Sequence, residues 1–313
     1  MEKPTETIAT ITLGATKAEG GTRGRTVTIG GQNCMPFHYF EGSVPHAPVL
    51  ALEVFDSVSE KFSPALRSYW GELLRKPAEI ARQCVEKHGA LVISVRLDGT
   101  HPEKGGKGPE AALALVKEVL AAVDVPVIVT AHNHFETANA VFKAIAAGCK
   151  GERLLLNWVE GENYRTIAGA ALAYGHCLVA RSPIDVNMAK QLNILLTNMD
   201  LPRERIVNDP LTGALGYGLE YTYSVMERIR LTGLGGDKAL TFPMLVSVGQ
   251  EAWKVKESFA PATSFPAWGE AARRGILWET QTAMPMILAG ADLVILYHPE
   301  SLALIRKNVA KLQ

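Results

Sequence analysis

The sequence predicts an α/β fold, a (βα)8 TIM barrel with an N-terminal β-hairpin cap. Three observations predict it. From about Pro48 onward, eight short and continuously apolar runs follow one another. Segments with helical spacing separate them, and glycines stand at the helix-to-strand junctions. Continuous rather than alternating hydrophobicity is what parallel strands covered on both faces require.

Ahead of the barrel, residues 8–13 and 25–29 are β-branched runs joined by a glycine-rich stretch from Gly14 to Gly24, the pattern of a hairpin. A lone hairpin buries no core of its own. Residues 1–45 are therefore expected to cap the barrel without forming an independent domain, and residues 46–313 to form the barrel itself. Barrel strands are expected at 49–54, 90–97, 125–130, 153–157, 177–180, 205–208, 244–248 and 292–297. Helices are expected at 76–88, 109–122, 135–147, 163–174, 186–198, 215–231 and 268–289, with a last helix at the C-terminus. In the segment 109–122, Ala112, Leu115, Val116 and Val119 make one buried face, and Pro109 suits the first turn, where its missing N–H costs nothing. Gly89, Gly148, Gly175 and Gly290 are each expected to close a helix in the left-handed conformation. The alternative is a doubly wound open sheet. The sequence has no G-x-G-x-x-G after the first strand and no G-x-x-x-x-G-K-[ST] anywhere, which disfavours dinucleotide and P-loop readings.

Bulk properties narrow the function. The 313 residues are 47% hydrophobic and 20% charged, and α/β barrels of ~250 residues are common as single domains. The 32 basic and 32 acidic residues balance, whereas phosphate-backbone or polybasic membrane binding needs a surplus of Lys and Arg. No N-terminal stretch has a signal-peptide pattern, and no apolar run reaches the ~20 residues of a membrane span. The most apolar segment, 284–297, is broken by Gly290 and Asp292. A cytoplasmic protein is expected. Cys34, Cys84, Cys149 and Cys177 are far apart, so buried thiols are expected rather than disulfides or a self-contained metal cluster.

In barrels the loops after the strands form the functional face. Residues at or just past the strand ends are Asp56, Asp98, His132-Asn133-His134, Asn157, Arg181-Ser182, Asn208-Asp209, Ser247 and Tyr297-His298. Asp56 or Ser57, Asn163 and Asp185 are equally suited to capping the following helices. Arg181 and Lys190 are the obvious cations. His132 and His134, two apart on a strand, would face the same side, but a metal centre needs further ligands from other strand ends. His176 precedes its strand and Asp292 begins one, so no metal site is expected. There is no G-x-S-x-G elbow and no cysteine beside a base. Asp98 and Asp209 remain as acid–base candidates. The crown suits hydrogen bonding to a large amide-rich ligand better than a compact catalytic triad.

Several long segments carry a resemblance. They are Thr12-Leu-Gly-Ala-Thr-Lys-Ala-Glu-Gly-Gly-Thr-Arg23, Phe40-Glu-Gly-Ser-Val-Pro-His46 and Asn208-Asp-Pro-Leu-Thr-Gly-Ala-Leu-Gly-Tyr-Gly-Leu-Glu220. To these are added Ser224-Val-Met-Glu-Arg-Ile-Arg230 and Trp268-Gly-Glu-Ala-Ala-Arg-Arg-Gly-Ile-Leu-Trp278. Nearly end to end, the chain resembles the small subunits of corrinoid/iron–sulfur proteins, a family also known as the delta subunit of the acetyl-CoA decarbonylase/synthase complex. The resemblance implies a barrel related to pterin-binding methyltransferases and a heterodimer with a large subunit. That subunit would carry a [4Fe–4S] cluster and share a corrinoid (cobalamin-type) cofactor held against the C-terminal face of this barrel. It implies a methyl carrier of the Wood–Ljungdahl route of carbon dioxide fixation. The carrier takes a methyl group from methyltetrahydrofolate through a separate methyltransferase and delivers it to acetyl-CoA synthase.

The residues agree with a share in such a site. Without clustered cysteines, any iron–sulfur cluster must come from the partner. The sequence also lacks the Asp-x-His-x-x-Gly motif that supplies a histidine to cobalt, since Asp98-Gly-Thr-His101 has different spacing. From barrel geometry alone, Asn133, Asn157, Arg181, Asn208 and Asp209 are expected to face the cofactor's amide edge or the methyl-donating partner, with no catalytic residue of the chain's own. The alternative is a stand-alone pterin-dependent methyltransferase, with Asp98, Asn157 and Asp209 on the pterin ring. A metal hydrolase is the third reading.

Overall fold

The computed structural model describes residues 4–59, 62–213, 215 and 218–313. Two short strands, β1 (Ile11–Leu13) and β2 (Val27–Ile29), pair antiparallel with Ile11 opposite Ile29. Eight parallel strands follow: β3 (Val49–Phe55), β4 (Val92–Arg96), β5 (Val127–Thr130), β6 (Leu155–Val159), β7 (Cys177–Arg181), β8 (Ile206–Asp209), β9 (Met244–Val246) and β10 (Ala291–Leu296). They pair in sequence order and close through β10 against β3, with Leu293 beside Val49. The closed barrel, not the open sheet, is the architecture.

The reason lies in the two-residue period of a strand. Val49 and Ala51 of β3 point into the barrel with Val92, Ile128, Leu155, Val179, Val207 and Leu293. Leu50, Leu52 and Val54 point outward against the helices. Both faces are buried, so both are apolar and the runs read as continuous. The covering helices are α1 (Pro64–Trp70), α2 (Pro77–Glu86), α3 (Pro109–Ala122), α4 (Phe135–Gly148), α5 (Tyr164–Tyr174), α6 (Val186–Thr197), α7 (Glu220–Leu234), α8 (Val248–Ala252), α9 (Lys256–Phe259), α10 (Ala271–Leu288) and α11 (Pro299–Val309).

The hairpin seals the end of the barrel at which the strands begin. Ile11, Leu13, Val27 and Ile29 join the interior cluster. Backbone amides of Ala9, Gly14 and Gly24 donate to the carbonyls of Thr241, Arg153 and Asp124, in the segments that lead into β9, β6 and β5. Arg23 fixes the anchor. Its buried guanidinium meets Glu152 at 3.0 Å and donates to the carbonyls of Leu120 (2.7 Å), Val123 (2.6 Å) and Val125 (3.2 Å).

Three expectations need correction. Gly89, Gly175 and Gly290 have positive φ as expected of left-handed caps, but Gly148 does not. It is the last residue of α4, where a Cβ would stand 2.6 Å from the terminal methyls of Leu113 of α3, so a side chain there would require Leu113 to move. Helix α7 begins at Glu220 rather than 215, and part of the expected first turn (214, 216 and 217) lies outside the described residues. Helix α10 begins at Ala271, because Trp268 ends a short 3-10 turn and Gly269 follows at φ +76°. Buried Arg274 holds that preceding loop by donating to the carbonyls of Ala260, Phe265 and Gly269.

Candidate functional site at the C-terminal mouth

The strand ends gather a polar layer across the top of the barrel interior. Glu53 of β3 and Arg96 of β4 form a buried pair, Nε to Oε2 at 2.6 Å. Arg96 Nη2 also donates to Gln250 Oε1 at 2.8 Å. Ser94 Oγ donates to Glu53 Oε1 and lies 3.1 Å from Thr130 Oγ1, which accepts from Asn157 Nδ2. One hydrogen-bonded chain thus runs from α8 through β3, β4 and β5 to β6. Its residues interrupt otherwise apolar strands, and a charge inside such a run is a signal from which Glu53 and Arg96 are readable in the sequence.

Beyond Asn157 the partners stop. Asn157 Oδ1, both side-chain polar atoms of Asn208 and the Ser182 hydroxyl are buried with no hydrogen-bond partner among the described residues. Beside them Arg181 lies over Trp158, its guanidinium carbon 3.9 Å from the ring centroid. Among the described residues its only ion pair is a 3.7 Å contact with Asp209 Oδ2. Asp209 Oδ1 accepts from the Leu211 amide. Burial pushes the Asp209 carboxyl above the ordinary carboxylate range, and Arg181 only partly offsets it. Of the five residues expected at the cofactor face, Asn157, Arg181 and Asp209 share the inward period of Leu155, Val179 and Val207 on neighbouring strands, whereas Asn208 has the outward period of Ile206, toward the helices. Asn133 does not join them. It is exposed on the loop after β5.

The remaining crown residues have structural partners. Asp185 caps α6 by accepting from the Met188 amide, and Asn163 accepts from the Glu160 amide. Asp56 accepts from the Gly99 amide, while Asp98 meets Lys104 at 3.2 Å. Asp292, at the start of β10, accepts from Gln32, Met244 and Arg230. His176 accepts from the Leu154 amide in the core.

His101 stands 5.0 Å, ring to ring, from His132, and 5.7 Å from His134. Their tautomers disfavour a metal. His132 Nδ1 accepts from the His134 amide and His101 Nδ1 from the Glu103 amide. A ring whose Nδ1 accepts a hydrogen bond carries its proton on Nε2, so neither His132 nor His101 offers a free lone pair to a metal. Burial holds His132 neutral, with its pKa lowered to about 4. Among the described residues no group of three or more His, Cys, Asp or Glu is placed to hold a metal.

The comparisons with known proteins bear on this geometry. A family model described as "CO dehydrogenase/acetyl-CoA synthase delta subunit" matches residues 10–306. The chain belongs to that family. It is 38% identical over 305 residues to the acetyl-CoA decarbonylase/synthase complex subunit delta of Archaeoglobus fulgidus, covering 96% of this chain and 67% of the relative. It is 37% identical over 308 residues to subunit delta 1 of that complex from Methanosarcina thermophila, covering 97% and 70%. Among solved structures, the dihydropteroate synthase of Xanthomonas albilineans with 4-aminobenzoic acid aligns with a TM-score of 0.59 at 13% identity. The alignment covers 92% of this chain and 94% of that one. The dihydropteroate synthase of Thermus thermophilus aligns with a TM-score of 0.54 at 17% identity, covering 96% and 98%. At such identities the likeness establishes the barrel fold that this delta-family chain shares with them. Within the described residues of the delta-family chain, no helix is long and apolar enough to cross a membrane.

Proposed function

We propose that this chain is the barrel subunit of a cytoplasmic methyl carrier and forms one wall of a corrinoid site. A large subunit would supply the other wall and a [4Fe–4S] cluster, and a methyltetrahydrofolate methyltransferase and acetyl-CoA synthase would dock in turn. The relatives' description as subunits of a complex supports partners of this kind.

One observation carries the reading: the Asn157 amide, its Oδ1 buried without a partner among the described residues, on the inward face that also holds Arg181 and Asp209. Each buried polar atom left without a partner costs ~1–3 kcal/mol, a loss that a ligand of matching chemistry recovers. Primary amides both donate and accept, so their complement is another set of amides, and the rim of a corrinoid carries such a set. Asn157 would hold that rim together with Arg181 and Asp209, with Asn133 on the outer lip. When bound, the corrinoid supplies the metal that takes up and gives up the methyl group. The chain's own residues bind and orient. Glu53 is occupied by Arg96 and Ser94, which supports a structural rather than catalytic role for that carboxylate.

Asn157 and Asp209 also favour a second reading, a pterin-dependent methyltransferase, and one aligned dihydropteroate synthase is in complex with 7,8-dihydropteroate. Visible spectra and methyl transfer from methyltetrahydrofolate to free cobalamin, measured on the chain alone and with its large subunit, separate the two. Corrinoid absorbance only in the two-subunit complex is expected. Turnover by the chain alone would overturn the carrier reading.

Two substitutions are sharper probes. Asn208→Leu removes unpaired polar atoms on the helix-facing side, so the isolated chain should unfold at equal or higher urea concentration, by up to about 1 kcal/mol, and the complex should keep its corrinoid affinity. Asn157→Leu should weaken corrinoid binding by the two-subunit complex at least tenfold. Unchanged affinity in Asn157→Leu would overturn the assignment.

A further inference from the structure

Three residues behind Asn157 leave its amide a single orientation. Glu53 stands in an ion pair with Arg96, so its carboxylate only accepts. Ser94 Oγ donates to Glu53 Oε1 at 2.7 Å, which uses its one proton. The 3.1 Å contact between Ser94 Oγ and Thr130 Oγ1 is then donated by Thr130. With that proton also used, Thr130 Oγ1 has only lone pairs left for Asn157, and it meets the amide nitrogen at 3.0 Å. Were the amide turned over, two acceptors would face each other. Asn157 Oδ1 is therefore turned away from β5, a buried acceptor without a partner among the described residues. Glu53, Ser94, Thr130 and Asn157 are each at most 1% exposed, so bulk water does not relax this order.

The surroundings do not favour an anion. Arg96 has Glu53 beside it, and Arg181 has Asp209. Asp209 Oδ2 lies 3.7 Å from Arg181 Nε, too far for a hydrogen bond, and is a second acceptor on the inward face.

We propose that this relay is a specificity determinant: it makes Asn157 read a ligand N–H, so the site takes a neutral carboxamide and refuses a carboxylate at the same place on the corrinoid rim. Glu53, Ser94 and Thr130 are positioning residues, which act through Asn157. A carboxamide donates to Asn157 Oδ1. A carboxylate has no proton to give, and it would set its charge against that oxygen and against Asp209. The inference rests on the corrinoid reading and adds to it which chemical form of the cofactor is accepted.

The test is a visible-spectrum titration of the two-subunit complex, emptied of cofactor, with two corrinoids. Cobinamide carries carboxamides on its rim, and cobyrinic acid carries carboxylates. Wild type should favour cobinamide by about tenfold or more, the worth of one hydrogen bond. Ser94→Ala leaves Thr130 and Asn157 in place but frees the Thr130 proton, so the amide can turn and present its N–H groups. The preference should then shrink by roughly threefold or more. Thr130→Val, which removes the anchor of the amide, should shrink it as well, whereas Thr130→Ser keeps the hydroxyl and should keep the wild-type ratio. The large subunit is the same in every titration, so a changed ratio reports on this chain. A wild type that takes both corrinoids equally, or a ratio unchanged in Ser94→Ala and Thr130→Val, overturns the relay and leaves the carrier reading standing. A wild-type complex that binds neither corrinoid overturns the carrier reading and the relay with it. Should Ser94→Ala fail to fold, the two Thr130 variants decide.

Discussion

Replacing Arg23 by alanine should destabilise the chain by about 3–5 kcal/mol, the range found when one partner of a buried ion pair is removed. The effect is large because nothing replaces the lost donors. Glu152 would keep its charge in a buried site, and the carbonyls of Leu120, Val123 and Val125 would lose the guanidinium that they share. Urea unfolding followed by circular dichroism measures the loss. Combining Arg23→Met with Glu152→Leu should recover much of it, because no charge is then left unpaired. If the double variant were as unstable as the single one, the lost carbonyl contacts rather than the stranded carboxylate would explain the cost.

Glu279 should give the chain a distinctive dependence on pH. It is buried beneath the mouth and accepts from the amides of Tyr297 (2.6 Å) and His298 (3.2 Å). Burial pushes its carboxyl up to about 7 from 4.5, against the lowering effect of those donors. A folded-state value above the unfolded one means that its contribution is fully present below about 4.5 and is lost as pH rises through 7. At ~1.4 kcal/mol per pKa unit, the change is on the order of 3 kcal/mol. His298 works in the other direction. Burial lowers it to about 4 from 6.5, so its contribution holds above 6.5 and is lost as pH falls through 4. The two partly cancel in wild type. In Glu279→Gln the carboxyl is gone, and the stability difference from wild type should shift in the variant's favour by about 3 kcal/mol between pH 4.5 and 7.5. Unfolding curves at half-unit steps would test this. Wild type and variant tracking each other in parallel across the range would refute the assignment.

The barrel is legible in the sequence because its physics is repetitive. Each strand buried on both faces reads as an apolar run, and each helix closed by Gly89, Gly175 or Gly290 ends where its glycine stands. Gly148 departs from that rule because it ends α4 without a left-handed turn, packed on the methyls of Leu113, and sequence alone does not distinguish a packing glycine from a cap. The start of α10 falls later than its pattern suggests because the buried Arg274 clamp, a tertiary feature, shapes the loop before it. At the mouth, strand-end position identifies Asn157, Arg181 and Asp209, which share the inward period of their strands, while Asn208 follows the same rule yet has the outward one. Asn133 follows the same rule yet lies outside, because β5 ends at Thr130 and the loop has turned outward by Asn133. Trp158, Gln250 and Trp253 carry no comparable signal. Two of them are on or beside α8, a short helix with too few residues for a periodic pattern.

The anchoring of the N-terminal hairpin also constrains the order of assembly. Its strands are made first, yet Arg23 waits for Leu120 to Glu152, Ala9 for Thr241, and Gln32 for Asp292, 260 positions later. Contacts of such separation form late, because long loops must close before they contribute anything. During synthesis the Ile11, Leu13, Val27 and Ile29 face therefore has no barrel to enter until nearly the whole chain has emerged. A nascent chain stalled before β10 should expose that face, and co-translational protease sensitivity near Gly20 should disappear only once Asp292 has left the ribosome.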